Sequence, residues 1–214
     1  MEKKTMENCI FCDWEAIKED TLYETDHFSV KVGFGIVAPG HVMIISKEHY
    51  ACFSDLPEEL WFEYQKLKQT IIRKITLKFA EPFLIEHGVL GQSVFHAHVH
   101  CIPKKSTEYE IKSIRKAMFD PHHFEIKQAD LAALHDLYRQ RGGYLMFEED
   151  DMMFAIDAIS LRNNQIVQNL SYRHFFTDLG VEGVSSWQNM SEENKIKDEE
   201  KREKTKKIFR KLTP

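Results

Sequence analysis

Between Ser93 and Pro103 the chain runs SVFHAHVHCIP, with histidines at positions 96, 98 and 100. Imidazole has a reference pKa of about 6.5, so at neutral pH it is largely an uncharged ring with a free lone pair. It can act as a nucleophile, a proton carrier or a metal ligand. Residues two apart in a strand share a face and stand roughly 6–7 Å from each other. The spacing therefore predicts His96, His98 and His100 in a row on one face, with Ala97, Val99 and Cys101 turned into an apolar core. A face chosen only for solubility more often holds Thr, Lys and Glu, so three alternate histidines point to chemistry. Single histidines such as His27, His87 and His135 carry no such signal.

Cys9 and Cys12 form a second group with chemical potential, a C-x-x-C near the start of the chain. In a reducing compartment such a pair suggests a metal or redox site before it suggests a structural disulfide. A thioredoxin-like role needs a βαβ pattern, and none follows. The pair also suits an apolar N-terminal hook, since free cysteine packs like a small hydrophobe. Zinc would need two further ligands, and histidines are available to supply them. Cys52 and Cys101 stand singly in apolar surroundings. Gly88 and Gly91, just ahead of the histidines, would let the backbone approach a phosphate closely.

The elements that must position these groups follow from periodicity. TLYETDHFSVKV gives two short strands broken near Asp26, and a further strand spans His41 to Ser46 after Pro39-Gly40. Beyond Pro57, the residues Leu60, Trp61, Tyr64, Leu67, Ile71, Ile72 and Ile75 recur at three- and four-residue steps and predict a long amphipathic helix. PFLIEHG and SVFHAHVHCIP are two more strand-like runs. The pattern predicts an α+β fold: an antiparallel sheet of about five strands with one long helix, followed by a mixed helical and hairpin C-terminal extension. In that extension EIKSIRKAMF has helical character, QADLAALHDLYRQRGG forms a helix ended by glycines, and YLMFEEDDMMFAIDA forms a hairpin turning at Glu149-Asp150. NQIVQNLSYRHFFTDLG forms another helix, and the mixed charges after Ser191 predict a solvated terminal helix. The expected division is residues 1–105 as a catalytic domain, 106–190 as an elaboration packing on it, and 191–214 as a charged helix or tail.

Composition sets outer bounds. The chain has 214 residues, of which 43% are hydrophobic and 12% aromatic, ample for a packed core. A net charge of −5 supplies no general field for nucleic acid or an anionic membrane, so neither is an expected partner. No run approaches the roughly 20 apolar residues of a membrane span. The opening MEKKTMENCIFCDWE lacks the apolar segment of a secretory signal, and a cytoplasmic location is expected.

HAHVHCI resembles the signature of the histidine triad superfamily of nucleotide hydrolases and transferases. APGHVMIISKEHY is similar to the strand and loop ahead of that family's long helix, and EHGVLGQSVFHAHVHCIPKK to its catalytic hairpin. FSVKV with PGHV most resembles the branch that includes dinucleoside polyphosphate hydrolases. The resemblance spans about Asn8 to Lys105. It implies that His98 is the nucleophile, attacking an α-phosphorus to form a nucleotidyl-histidine intermediate. It further implies that His100 and His41 line the phosphate site, and that Ser93 and Gln92 contact phosphate oxygens or the bridging group. Part of the superfamily carries structural zinc, and the matching ligands here are Cys9, Cys12, His49 and His96, with His100 as the alternative to His96. The substrate implied is a small nucleotide conjugate, a dinucleoside polyphosphate or nucleoside phosphoramidate, and many relatives form homodimers.

One position departs from that pattern. Where relatives carry an Asp or Asn for the ribose hydroxyls, eight residues before His41, this chain has Gly33. Lys31, Glu86 or the C-terminal half must then supply the contact, or the substrate is not an ordinary nucleotide. Phe34 could stack on a base or pack in the core, and Arg162 and Arg173 could reach a polyphosphate. Two other readings remain: a nucleotide-binding signalling protein with slow turnover, and a metal-sensing cluster made of the triad itself.

Overall fold

The computed structural model describes residues 5–120, 125–162, 172–182, 184 and 190–210. Among these residues eight strands form one antiparallel sheet: β1 (Thr21–Glu24), β2 (Phe28–Lys31), β3 (Val42–Ser46), β4 (Pro82–Gly88), β5 (His98–Pro103), β6 (Lys127–Gln128), β7 (Tyr144–Glu149) and β8 (Met152–Asp157). Their order is β1-β2-β3-β5-β4-β7-β8-β6. The sheet thus has eight strands where about five were expected. The expected hairpin continues it, because β7 pairs with the outer edge of β4 through Glu86↔Met146 and Gly88↔Tyr144.

The alternation of side chains sorts the sheet into two faces. Phe28, Val30, Val42, Ile44, Leu84, Val99, Cys101 and Met146 pack in one apolar cluster. It is covered by α2 (Trp61–Lys78), the helix anticipated after Pro57, whose Trp61, Tyr64, Leu67, Ile71 and Ile75 are buried; a short α1 (Trp14–Ile17) precedes β1. A third helix, α3 (Leu131–Arg141), adds Leu134 to this face. It starts where Asp130 accepts a hydrogen bond from the Ala133 N–H at 2.9 Å, and stops at Gly142, whose φ of 75° suits a left-handed cap. Lys68 of α2 reaches both carboxylate oxygens of Glu148 on β7, at 2.7 and 2.8 Å, so a buried ion pair joins helix to extended sheet.

On the other face Phe83, Ile85, Ile102, Leu145, Phe147 and Ile156 pack under the chain from Tyr109 to Phe119 and under α5 (Tyr172–Asp178). EIKSIRKAMF forms only a π-type turn over Arg115–Phe119 instead of a regular helix. Its start is fixed by Glu149, which accepts from the Ile114 N–H at 2.7 Å. α4 (Ala158–Arg162) follows β8. The first part of the helix expected over NQIVQNLS lies outside the described residues.

The last helix, α6 (Glu192–Arg210), is not the solvated segment the charge pattern predicted. Asp198, Arg202, Thr205, Lys206 and Phe209 are buried at helical spacing. Asp198 accepts from the Ile36 N–H at 2.8 Å, Thr205 Oγ1 accepts from the Gly40 N–H at 2.9 Å, and Arg202 and Lys206 both pair with buried Asp20. The buried stripe is mostly charged, so a search for apolar periodicity passes over it.

Candidate active site and metal centre

The triad divides at the first residue of β5. His98 and His100 lie on the strand, whereas His96 precedes it in a bend, so the expected row of three rings on one strand is not formed. Ala97, Val99 and Cys101 are fully buried in the α2 cluster, as expected. His98 and His100 face the opposite side, where the cross-strand pairs Ile45↔His98, Met43↔His100 and Ile85↔His100 set their neighbours.

These two rings border a cavity of about 340 Å³, within the range of small-molecule sites. His41, Gln92, Ser93 and Lys31, each named from sequence, line the same space. Glu86 does not. It points to the α2 face, where it accepts hydrogen bonds from the Phe53 N–H and the Tyr144 hydroxyl, so it cannot supply a ribose contact. The side chain of Arg162 lies outside the described residues. Arg173 borders the cavity, but its guanidinium donates to the carbonyls of Phe34 and Gly35 at 2.9 and 2.8 Å. It therefore ties α5 to the glycine-bearing loop that forms one wall. Phe34 is 41% exposed and borders the cavity.

Hydrogen bonds assign the ring protons. His98 Nδ1 lies 2.6 Å from the backbone oxygen of His96 and must carry a proton to donate to it. That leaves Nε2 with its lone pair. Burial holds the His98 pKa down at about 4, against the carbonyl's pull and with help from His87, Arg173 and Lys31, so the ring is neutral at neutral pH. The Val37 N–H donates to His41 Nδ1 at 3.1 Å, so a neutral His41 carries its proton on Nε2 and donates to His100 Nδ1 at 3.0 Å. His100 in turn keeps its proton on Nε2. Burial lowers the pKa of His41 to about 3 and that of His100 well below its ordinary value. The result is one ring with a free lone pair beside a second ring with a free N–H.

Four groups at this site were not anticipated. Phe11 packs edge-on against His96 and His98, with ring centroids 5.7 and 5.4 Å apart, and Tyr172 of α5 lies 4.6 Å from the His100 ring. His174 borders the cavity as well. His87 also lines it, with Nε2 buried and without a hydrogen-bond partner among the described residues. Two-residue periodicity along β4 could have found His87, because it shares a face with Ile85, the cross-strand neighbour of His100. Phe11 and Tyr172 carry no comparable signal, since they arrive from distant segments.

Cys9, Cys12, His49 and His96 converge, each offering a donor atom within 4.8 Å of the others. Cys9 Sγ lies 3.4 Å and Cys12 Sγ 3.6 Å from His96 Nδ1, and Cys12 Sγ lies 3.4 Å from His49 Nδ1. A tetrahedron with Zn–S of about 2.3 Å and Zn–N of about 2.0–2.1 Å has an S···N edge of about 3.6 Å, so the donors fit that ion. His96 Nε2 lies 2.8 Å from the Ser46 carbonyl oxygen and donates its N–H to it, which leaves Nδ1 with its lone pair toward the thiols. His100, the alternative ligand, is engaged with His41 instead.

A neutral imidazole thus faces a cavity beside a paired donor imidazole, with a Cys₂His₂ cluster behind it. The chain belongs to the histidine triad (HIT) family. A HIT domain model matches residues 15–107. An uncharacterised HIT-like protein of Mycoplasma genitalium is 35% identical over 113 residues, covering 50% of this chain and 80% of that protein. A bis(5'-adenosyl)-triphosphatase of Dictyostelium discoideum is 25% identical over 145 residues, covering 63% of this chain and 96% of that protein. Among solved structures, a HIT family protein from Bacillus anthracis is 28% identical with a TM-score of 0.43, covering 48% of this chain and 77% of that one. Among the described residues, no helix is long and apolar enough to cross a membrane.

Proposed function

We propose that this protein cleaves a nucleotide conjugate at its α-phosphate through a covalent nucleotidyl-His98 intermediate, passing the nucleotidyl group to water or to a second acceptor. The observation that carries this reading is the His98 ring itself, anchored through Nδ1 at 2.6 Å and bordering the cavity with Nε2 uncommitted. A relative bearing the name of a dinucleoside polyphosphate hydrolase supports the substrate class.

The chemistry follows from the assigned protons. The His98 Nε2 lone pair forms a bond to the α-phosphorus, and the bond from phosphorus to the leaving group breaks with its electron pair. A polyphosphate leaves as an anion, whereas an amine also takes a proton from solvent. The phosphorylated ring is then an imidazolium, and its Nδ1–H bond to the His96 carbonyl strengthens as that charge develops. The His100 Nε2–H is available to a non-bridging phosphoryl oxygen. In the second half, water or another acceptor attacks the phosphorus, the N–P bond electrons return to Nε2, and the acceptor's proton passes to solvent. Ser93 and Gln92 are read as phosphate contacts, and His41 as the group that fixes His100 in its donor form.

Zinc at Cys9, Cys12, His49 and His96 completes the reading. The ion would fasten the N-terminal segment and hold His96, whose backbone carbonyl orients His98. Its contribution is structural.

Intact-mass spectrometry after brief mixing with diadenosine polyphosphates, adenosine phosphoramidate and adenosine phosphosulfate tests the intermediate. The expected result is a nucleotidyl adduct that His98→Asn eliminates while nucleotide binding persists. An adduct of equal yield on the variant, or undiminished turnover by it, would exclude His98 as the nucleophile.

A further inference from the structure

Lys31 sits on β2 with 3% of its surface exposed, and it borders the same cavity. Its position relative to the triad follows from the register. Lys31 pairs with Met43, and Met43 pairs with His100. Two strand spacings separate the backbones of Lys31 and His100, about 10 Å. Lys31 is therefore rooted two strands away from His100 on the same face of the sheet, so a phosphate at the triad and a group held by Lys31 would be different parts of one bound conjugate.

Among the described residues, nothing neutralises this charge fully. Its ammonium lies 5.7 Å from the Phe11 ring centre and 5.8 Å from that of Phe34, and no hydrogen-bond or salt-bridge acceptor reaches it among the described residues. Rings at this distance compensate a desolvated cation only in part. The carboxylate that acts on it, Asp20, already binds Arg202 and Lys206, so one buried acid serves three cations. Burial, with Arg202 and Lys206 adding to it against Asp20, pushes the Lys31 pKa down to about 8. A buried ammonium without an acceptor is costly, and the cost is recovered when a ligand brings an anion.

The neighbouring position completes the picture. Gly33 borders the cavity and offers no acceptor for a ribose diol, and a Cβ there would meet only the Met43 side chain, at 3.0 Å. This part of the wall thus presents a positive donor and no side-chain acceptor at the position where an acceptor for neutral hydroxyls was expected, with the Met43 side chain close against Gly33. We propose that the substrate is a nucleotide conjugate bearing a second phosphate on its ribose, esterified at the 2′ or 3′ oxygen, and that Lys31 recognises that phosphate. The inference rests on the nucleotide reading above and narrows its substrate class.

Calorimetric titration of the 214-residue chain, prepared with zinc, with AMP, adenosine 2′,5′-bisphosphate and adenosine 3′,5′-bisphosphate tests it. One bisphosphate is expected to bind at least about tenfold more tightly than AMP, and Lys31→Met to bring the ratio within about twofold of unity. Lys31→Arg, which keeps the charge, should keep the preference. The better ligand identifies the esterified oxygen. Equal affinities in the wild type, or a preference that survives Lys31→Met, would overturn the assignment. If AMP conjugates still label His98 in that case, only the ribose-phosphate inference falls. If no nucleotide binds and His98 is never labelled, both readings fall together.

Discussion

Glu86 offers a test in which the structure fixes both sign and size. It is fully buried beneath α2, its two oxygens taking hydrogen bonds from the Phe53 N–H at 2.7 Å and the Tyr144 hydroxyl at 2.8 Å. Burial raises its pKa from 4.5 to about 7, against the pull of those two donors. A carboxyl whose folded pKa is raised keeps its proton in the folded state over a range where the unfolded chain has already lost it. Its contribution to stability is therefore present below the unfolded value and declines as pH rises through the folded one. At about 1.36 kcal/mol per pH unit, the gap is worth about 3.4 kcal/mol overall, of which about 2.5 kcal/mol falls between about pH 5 and about pH 8. Glu86→Gln removes the titration and keeps a neutral group of the same shape. The new amide can donate to the Tyr144 oxygen, whose hydroxyl has the Cys52 sulfur within reach. Urea unfolding of both proteins across that range supplies the measurement. The buried histidines are common to both, so they cancel in the difference. The variant should gain about 2.5 kcal/mol relative to the wild type on going from about pH 5 to about pH 8. A difference that does not change with pH, or one that moves the other way, would refute the reasoning.

Two further outcomes follow from the same contacts. Cys12→Ser removes a sulfur close to both His96 and His49, so bound zinc measured by atomic emission should fall well below one ion per chain, whereas His100→Asn should leave the zinc content unchanged. Asp198→Ala leaves the buried Ile36 N–H without its acceptor, which should cost about 1–3 kcal/mol in urea unfolding and speed hydrogen exchange at Ile36; unchanged exchange there would show that α6 does not hold this loop.

Much of the chemistry could be read before any fold was known, because it is encoded over short distances. The alternation of His98 and His100 with Val99 and Cys101 obeys the two-residue period of a strand, and the recurrence from Leu60 to Ile75 obeys the 3.6-residue period of a helix. Local spacing failed first at His96. Its distance from His98 suited a continued strand, yet the chain bends there, and the ring is taken up by sulfurs 84 and 87 residues away in sequence. Periodicity also failed at α6. Burial there is driven by Asp198, Arg202 and Lys206 finding partners at Ile36 and Asp20, and a charged residue does not announce in sequence that its partner is waiting.

By itself, then, the sequence determined the histidine strand and the long helix behind it, since each depends on residue type and short-range period, whereas His49 and His96 were named as partners of Cys9 and Cys12 only through the resemblance to a family. Only the tertiary structure decided that β7 and β8 extend the sheet, that Glu86 faces away from the cavity while His87 faces into it, and that Lys31 borders the cavity as a cation without an acceptor among the described residues. Those outcomes depend on register and on long-range pairing. A shift of one residue reverses every side chain on a strand, and no local pattern records which distant partner a buried charge will find.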